Sequence, residues 1–249
     1  MTATLIGLVV AVVFIGALMR GTFGFGEAVI SMPLLTLLPI NLHTAISLVG
    51  LMGLTATGPT IISGWRHIDH RTLIWLLGAA LPGIPVGLAL VTFAPASLVT
   101  RTLGILLILY GGYSLLRPML DQTAERVGMT HRGWALPFGF ASGMLGSAYN
   151  IGGIPIVVYG TLSRWNRTSF HGTLQAYFLF ADILIVSGQG LGGLWTANLF
   201  TLYAFSLPAI IVATLLGLFL HRRIPTERFT RYVFIIIILF GLLSLVTSA

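Results

Sequence analysis

Residues 20–35 read RGTFGFGEAVISMPLL, and residues 141–160 read ASGMLGSAYNIGGIPIVVYG. Both stretches interrupt a long apolar run with several glycines and a proline. Such residues free backbone N–H and C=O groups, which a bilayer tolerates only where those groups face protein or a water-filled cavity. Paired interruptions at corresponding positions of two halves are typical of the binding sites of secondary transporters. The sequence therefore predicts two broken helices with a site between them.

The composition around these breaks predicts an all-α, polytopic helical membrane protein. Of the 249 residues, 56% are hydrophobic and only 8% are charged, whereas about a quarter of a soluble domain is charged. The apolar runs have about the length of helices that cross roughly 30 Å of hydrocarbon. The ten predicted segments lie at about residues 3–20, 24–39, 43–63, 73–93, 98–117, 134–148, 151–163, 170–189, 197–220 and 230–248.

The two halves of the chain resemble each other in sequence. Gly21, Gly24 and Pro33 recur as Gly143, Gly146 and Pro155 at an offset of 122. Near the end of each half, Pro95, Thr100, Arg101, Gly111, Ser114 and Leu115 recur at a constant offset of 130. We therefore predict membrane repeats over residues 1–117 and 133–249, joined by a polar cytoplasmic linker over residues 118–132.

The 13 basic residues are all arginine and outnumber the 6 acidic residues. With the N-terminus outside, twelve arginines, Arg20 among them, fall in inside loops and only Arg101 falls outside, which is a strong positive-inside bias. Five segments per half then make the second repeat inverted relative to the first, with both termini outside. Re-entrant half-helices at the breaks would keep this parity, but a single broken span would not. Single arginines in short loops also make nucleic acid an improbable partner.

The residues around the breaks suit an anion. A half-helix that begins at each break offers unpaired N–H groups and the positive end of its dipole. The polar residues Arg20, Glu27, Tyr149 and Asn150 adjoin the glycines, where a helix that served only for packing would have no use for them. Packing explains any single glycine better than binding does, but the paired clusters favour binding.

Two acidic residues lie well inside apolar segments, and such residues are functional candidates. Glu27 lies in the first break, where a coupling proton, a pair with Arg20 or a structural hydrogen bond would each explain it. Asp182 lies seven residues from both Gln175 and Gln189, so the three share one helix face. Hydrogen bonds between helices would explain Asp182 and Gln189 equally well.

Several other chemistries find no support in the sequence. The chain has no cysteine, no His-x-x-x-His or His-x-x-Glu-His pair for a metal and no phosphate-binding loop, so we expect no metal and no cofactor. Ser142 lies in a glycine-rich turn, as the nucleophile of an intramembrane hydrolase would. It lacks a partner base within the bundle, with His171 as the only remote candidate, and we expect no enzyme.

The stretches GTFGFGEAVISMPLLTLL and SGMLGSAYNIGGIPIVVYG, the following FHGTLQAYFLFAD and the Pro-x(4)-Thr-Arg helix of each half resemble the sulfite exporter TauE/SafE family, also called the toluene sulfonate uptake permease family. The resemblance covers essentially the whole chain. It implies a bacterial or plant membrane protein, with about eight transmembrane helices, that moves sulfur-containing anions such as sulfite, sulfoacetate and sulfonates. It places the glycine clusters of the family on Gly21, Gly24, Gly26 and Pro33 and on Gly146, Gly152, Gly153 and Pro155.

The chain departs from the family pattern at two places. Glu27 stands where many members have another glycine, and Tyr149 and Asn150 stand where a smaller turn is usual. An ionised carboxylate beside the site would repel an anion. Glu27 therefore suggests either proton coupling or another substrate.

We accordingly expect a secondary transporter of small sulfur-containing or organic anions in the bacterial inner membrane. A passive anion channel is the alternative, and an intramembrane hydrolase fits less well. The expected partners are the anion and the bilayer, and a homo-oligomer is left open. The expected substrate-binding residues are Arg20, Gly24, Gly26, Tyr149, Asn150, Gly152, Gly153 and Gln175, and Glu27 and Asp182 are expected to couple protons.

Overall fold

The computed structural model of the chain describes residues 2–61, 68–123, 132–163, 165–221 and 226–247. In these residues the chain forms α-helices and one short 3-10 turn, without β-strands. The α-helices are α1 (Ala3–Phe23), α2 (Glu27–Thr36), α3 (Leu42–Ile61), α4 (His70–Phe93), α5 (Ala96–Thr123), α6 (Ala135–Tyr149), α7 (Gly153–Leu162), α8 (Arg167–Leu191), α9 (Leu199–His221) and α10 (Thr226–Thr247). Each predicted segment thus corresponds to one helix.

The predicted linker is helical in its first part. Helix α5 continues to Thr123, so the first part of the predicted linker over residues 118–132 is helical. Residues 124–131 lie outside the described residues, as do the ends of the third and tenth predicted segments at 62–63 and 248.

The two helices that follow the breaks are much shorter than the helices that could span a membrane. Within the described residues, five are long and apolar enough to cross a membrane: Ala3–Phe23, His70–Phe93, Ala96–Leu116, Thr168–Leu191 and Leu199–His221. Helices α2 and α7 contain only ten residues each. Ten residues rise about 15 Å, about half of the hydrocarbon thickness. The segments after the two breaks are therefore half-length helices.

The two breaks are made by residues in left-handed backbone conformations. Gly24 has φ 81° and ends α1, with its N–H donating to the carbonyl of Arg20 at 2.7 Å, and Gly26 has φ 98° and precedes α2. Glycine adopts such angles without the steric cost of a Cβ. At the second break Asn150 ends α6 with φ 57°, and asparagine tolerates this region better than most residues. Asn150 thus serves as the helix terminator that Gly24 provides in the first half.

The helices pack in pairs that join the two halves of the chain. The closest pairs are α1 with α9, α4 with α6, α3 with α8 and α5 with α10. Each helix of one half can be replaced by its counterpart in the other half, so that α1 corresponds to α6, α2 to α7 and so on. Under this exchange the α1–α9 pair becomes the α6–α4 pair. The α3–α8 and α5–α10 pairs each map onto themselves. The predicted inverted orientation of the halves stays a prediction.

Glycines of the repeated motif make two of these pairs possible. A Cβ at Gly143 in α6 would overlap the carbonyl of Ala80 in α4, and one at Gly21 in α1 would overlap that of Thr214 in α9. A Cβ at Gly217 would lie 2.8 Å from the Cα of Gly21. Gly21 and Gly143 are therefore packing residues, which agrees with the expectation that single glycines serve close helix contacts.

The polarity of the surface and interior is inverted relative to a soluble protein. Large apolar side chains such as Ile74, Leu109 and Phe205 are exposed, while Arg20, Gln175 and Gln189 are buried. An apolar exterior suits contact with lipid, and buried polar groups of this kind in membrane proteins mark functional sites.

Hydrogen bonds join the ends of several helices. At one end, Thr44 bonds Thr196 at 2.7 Å and the His43 ring lies 3.3 Å from the Val91 carbonyl. Elsewhere, the His221 ring lies 2.6 Å from the Thr22 carbonyl. The start of α3, the end of α4 and the segment after α8 therefore meet at one end of the bundle.

Candidate functional site

A buried ion cluster lies beside the first break. Arg20, in the last turn of α1, is 1% exposed and donates through Nη1 to Glu27, the first residue of α2. Its Nη2 donates to the hydroxyl of Thr57 in α3 and lies 3.6 Å from Oδ2 of Asp182 in α8. Four helices thus place one guanidinium between two carboxyl groups. The sequence analysis assigned Arg20 to an inside loop, which is wrong, because its side chain is buried in this cluster.

The Arg20 guanidinium keeps further capacity for an anion. Its Cζ lies 4.4 Å from the centre of the Phe178 ring, which stabilises the cation through the ring quadrupole. Its Nε is buried and has no hydrogen-bond partner among the described residues. A buried charged donor without an acceptor is costly, so this N–H is a candidate donor to a ligand.

Both breaks contribute to the cavities at Arg20. One cavity is lined from the first break by Gly26, Glu27 and Ala28, and from the second break by Asn150, Ile151, Gly153 and Ile154, with Arg20 and Phe178 also in its wall. A second cavity also contacts Arg20 and Glu27 and extends to Ser142, Gly152 and Asp182. The starts of α2 and α7 therefore face a common space beside one buried arginine.

The space beside Arg20 is narrow. The two cavities measure about 20 Å³ each, about enough for one water molecule. An anion of several heavy atoms is larger than either cavity as the helices stand.

The polar face of α8 contacts both breaks. Gln175 donates to the carbonyl of Gly24 at 3.0 Å, and Asp182 lies at the ion cluster. Gln189 donates to the side-chain oxygen of Asn150 at 3.3 Å. The three residues share one face of α8. Gln175 and Gln189 each make a hydrogen bond to another segment.

Three of the predicted binding residues do not line the cavities. Gly24 terminates α1, and its carbonyl accepts the bond from Gln175. The Tyr149 hydroxyl bonds the hydroxyl of Thr102 in α5. Gly24 and Gln175 thus hold the first break in place, whereas Tyr149 anchors the end of α6 to α5. The other predicted site residues line the two cavities: Arg20, Gly26, Glu27, Asn150, Gly152, Gly153 and Asp182.

Sequence reasoning missed Thr57 and Phe178. Thr57 shares a face of α3 with Gly50 and Gly53 by helical spacing. A Cβ at Gly53 would lie 3.2 Å from Glu27 Oε1 and 3.6 Å from Asp182 Oδ2. A search for small and polar residues on one face of α3 could have found Thr57. Phe178 had no such signal, because an aromatic residue in an apolar helix reads as core.

Ser142 is engaged in a structural hydrogen-bond pair. It accepts from the Tyr177 hydroxyl at 2.7 Å and donates to the Gly152 carbonyl at 2.5 Å. Tyr177 is not a base that could take a proton from a serine nucleophile at neutral pH. The side chain of His171, the remote candidate base, lies outside the described residues.

The described residues include no group of three or more His, Asp or Glu side chains that could hold a metal ion. The rings of His43 and His221 contact backbone carbonyls near helix ends.

The fold and the site together define a helical membrane protein with a buried charged centre between two half-length helices. Residues 8–244 match the model of the Sulfite exporter TauE/SafE family, and the chain belongs to that family of membrane transporters. The comparisons with curated proteins and with solved structures gave no match.

Proposed function

We propose that the chain is a secondary transporter of small sulfur-containing or organic anions such as sulfite or sulfonates. The observation that carries this proposal is the common cavity at which the starts of α2 and α7 meet Arg20. Helix N-termini and a buried guanidinium both favour an anion. The Arg20 Nε, which has no partner among the described residues, adds a specific unused donor.

In this proposal the anion lies between the two breaks. The backbone N–H groups at Gly152, Gly153 and the start of α7 bind it, since α7 has no acidic residue in its first turn. Arg20 supplies the fixed positive charge. Asn150 lines the same cavity; its side-chain amide donates one hydrogen to the carbonyl of Ile46 at 2.7 Å and offers the second to the anion.

Proton coupling follows from the charges around Arg20. The carboxyl groups of Glu27 and Asp182 both pair with the guanidinium of Arg20. The three side chains together carry a net negative charge when both carboxyl groups are ionised. A proton on one of them removes the repulsion that an incoming anion would meet. Anion and proton would then bind together, and the proton gradient would drive uptake.

The proposed architecture is two inverted repeats in a bacterial inner membrane, with both termini outside. The exchangeable helix pairs support the two related halves. The contacts of Thr44 and His43 support the relative placement of these segments, because they join segments that the arginine pattern places on the same side of the membrane.

The test is counterflow of radiolabelled sulfite and sulfoacetate in proteoliposomes, with and without a pH gradient. We expect saturable counterflow, which a passive channel does not give, and stimulation by an inward proton gradient. In Glu27→Gln the remaining counterflow should no longer respond to the gradient. Folded wild-type protein that moves neither anion would contradict the proposed substrates, and linear, non-saturable flux would favour the channel.

A further inference from the structure

The two half-length helices differ in what occupies their N-termini. Helix α2 begins with Glu27, whose carboxylate is also the partner of Arg20 Nη1. Helix α7 begins with Gly153 and has no acidic residue in its first turn. The positive groups of the first break are therefore already neutralised by the protein itself. Those of the second break have no acidic side chain of their own.

The state of Arg20 without substrate limits what the transporter can do. A buried charge without a partner is strongly destabilising. A carrier whose empty site exposes such a charge cannot close around it, so it can return across the membrane only with a new substrate bound. That carrier exchanges anions but moves no net amount.

Resting on the proposed function, we propose that Glu27 takes the place of the substrate anion in the empty transporter and so permits net transport. When the anion arrives, it takes over Arg20 while Glu27 accepts a proton. When the anion leaves, Glu27 releases the proton and pairs with Arg20 again. With a singly charged anion, Arg20, Glu27 and the anion together sum to zero charge in both states, and the only bond that forms or breaks is the O–H bond of the Glu27 carboxyl group.

The geometry assigns this role to Glu27 more directly than to Asp182. Glu27 bonds Nη1 directly, and its side chain is 8% exposed. Asp182 lies 3.6 Å from Nη2, its side chain is 19% exposed, and it shares the hydroxyl of Thr57 with Arg20. Glu27 also lies at the helix start, where a carboxylate is favoured.

The test compares two fluxes in proteoliposomes loaded with radiolabelled sulfite. Net flux is measured as efflux into sulfite-free buffer, and exchange as efflux into buffer with unlabelled sulfite. In the wild type we expect net flux and exchange to proceed at similar rates. In Glu27→Gln we expect the ratio of net flux to exchange to fall tenfold or more. Glu27→Asp keeps the charge and should recover much of the ratio. Asp69→Asn, a change of carboxyl to amide at the cap of α4, is the matched control and should keep the wild-type ratio.

A Glu27→Gln ratio equal to that of the wild type overturns the inference. Failure of the wild type in both assays would instead contradict the proposed function. If Glu27→Gln is inactive in both assays, thermal unfolding provides the test. The melting temperature of the variant should be lower than that of the wild type, and sulfite should raise it more than it raises that of the wild type. An unchanged melting temperature without added stabilisation by sulfite would also overturn the inference.

Discussion

The side-chain amide of Gln175 donates a hydrogen bond of 3.0 Å to the carbonyl oxygen of Gly24, 151 residues earlier in the chain. Helix α1 ends at this point, so the bond satisfies a carbonyl that the break leaves free. Helix α8 thereby holds the first break from outside the repeat that contains it.

Replacing Gln175 by leucine should destabilise the protein. The substitution keeps most of the side-chain volume but leaves the Gly24 carbonyl buried without this donor, which costs about 1–3 kcal/mol. The loss can be measured as a lower melting temperature of purified protein in detergent. Ile183→Leu, at an exposed position of the same helix, is the control, and equal melting temperatures of the two variants would refute the role of Gln175.

The Gly143→Ala substitution should weaken the contact between α4 and α6. The new Cβ would overlap the carbonyl of Ala80 and lie 2.8 Å from its Cα, and overpacking of this kind costs about 1–3 kcal/mol. Gly78→Ala is the matched control, because a Cβ at Gly78 contacts nothing within 4 Å. Thermal unfolding should separate the two variants, and a Gly143→Ala protein as stable as the control would contradict this packing.

Leucine at Gly26 and at Gly152 should reduce anion transport at least tenfold in folded protein. At Gly26 the φ of 98° is unfavourable for any side chain, at about 1–2 kcal/mol. At Gly152 a Cβ would lie 2.6 Å from the Ser142 carbonyl. Both glycines line the cavities, so a leucine at either position would take up space there. Gly112→Leu, in open space on α5, is the control. Intact transport in both break variants would mean that the site lies elsewhere.

Ser142→Ala should leave most of the transport activity. The variant loses the bonds to Tyr177 and Gly152, which we expect to cost about 1–3 kcal/mol, but it removes no proposed anion ligand. Counterflow within about threefold of the wild type would agree with a structural serine. Complete loss of activity in stable protein would favour the hydrolase that the sequence alone left open.

Arg20→Gln should abolish saturable binding of the anion. The change removes the fixed charge and leaves Glu27 and Asp182 without the cation they share. Binding of sulfite can be measured by its effect on the melting temperature and by counterflow. Arg101→Gln, at an exposed site on α5, removes the same charge outside the site and should behave as the wild type, whereas equal sulfite binding by the Arg20 variant would exclude Arg20 as a ligand.

The sequence predicts the helices of this protein well because each apolar run ends at a polar or glycine-rich break. It also predicts that Arg20, Glu27, Asn150 and Asp182 belong to a site, since polar residues in such runs need a reason. The convergence of Glu27 and Asp182 on the guanidinium of Arg20 depends on how α1, α2 and α8 cross, which spacing along one helix does not specify.

Tyr149 shows where prediction from local sequence ends. Its neighbour Asn150 lines the cavity, but the direction of a side chain at a helix end depends on the turn that follows. The left-handed conformation of Asn150 ends α6 at this point, and the Tyr149 hydroxyl meets Thr102. The pairing with a residue 47 positions earlier is a tertiary contact that no local pattern encodes.

The short helices α2 and α7 bring a buried arginine to the point where the two breaks meet. A potential of 100 mV does about 2.3 kcal/mol of work on each elementary charge that crosses the hydrocarbon layer. If Arg20 moves relative to the bilayer when the site opens, part of that work acts on the protein itself. Membrane voltage would then bias the conformational change as well as the movement of the anion.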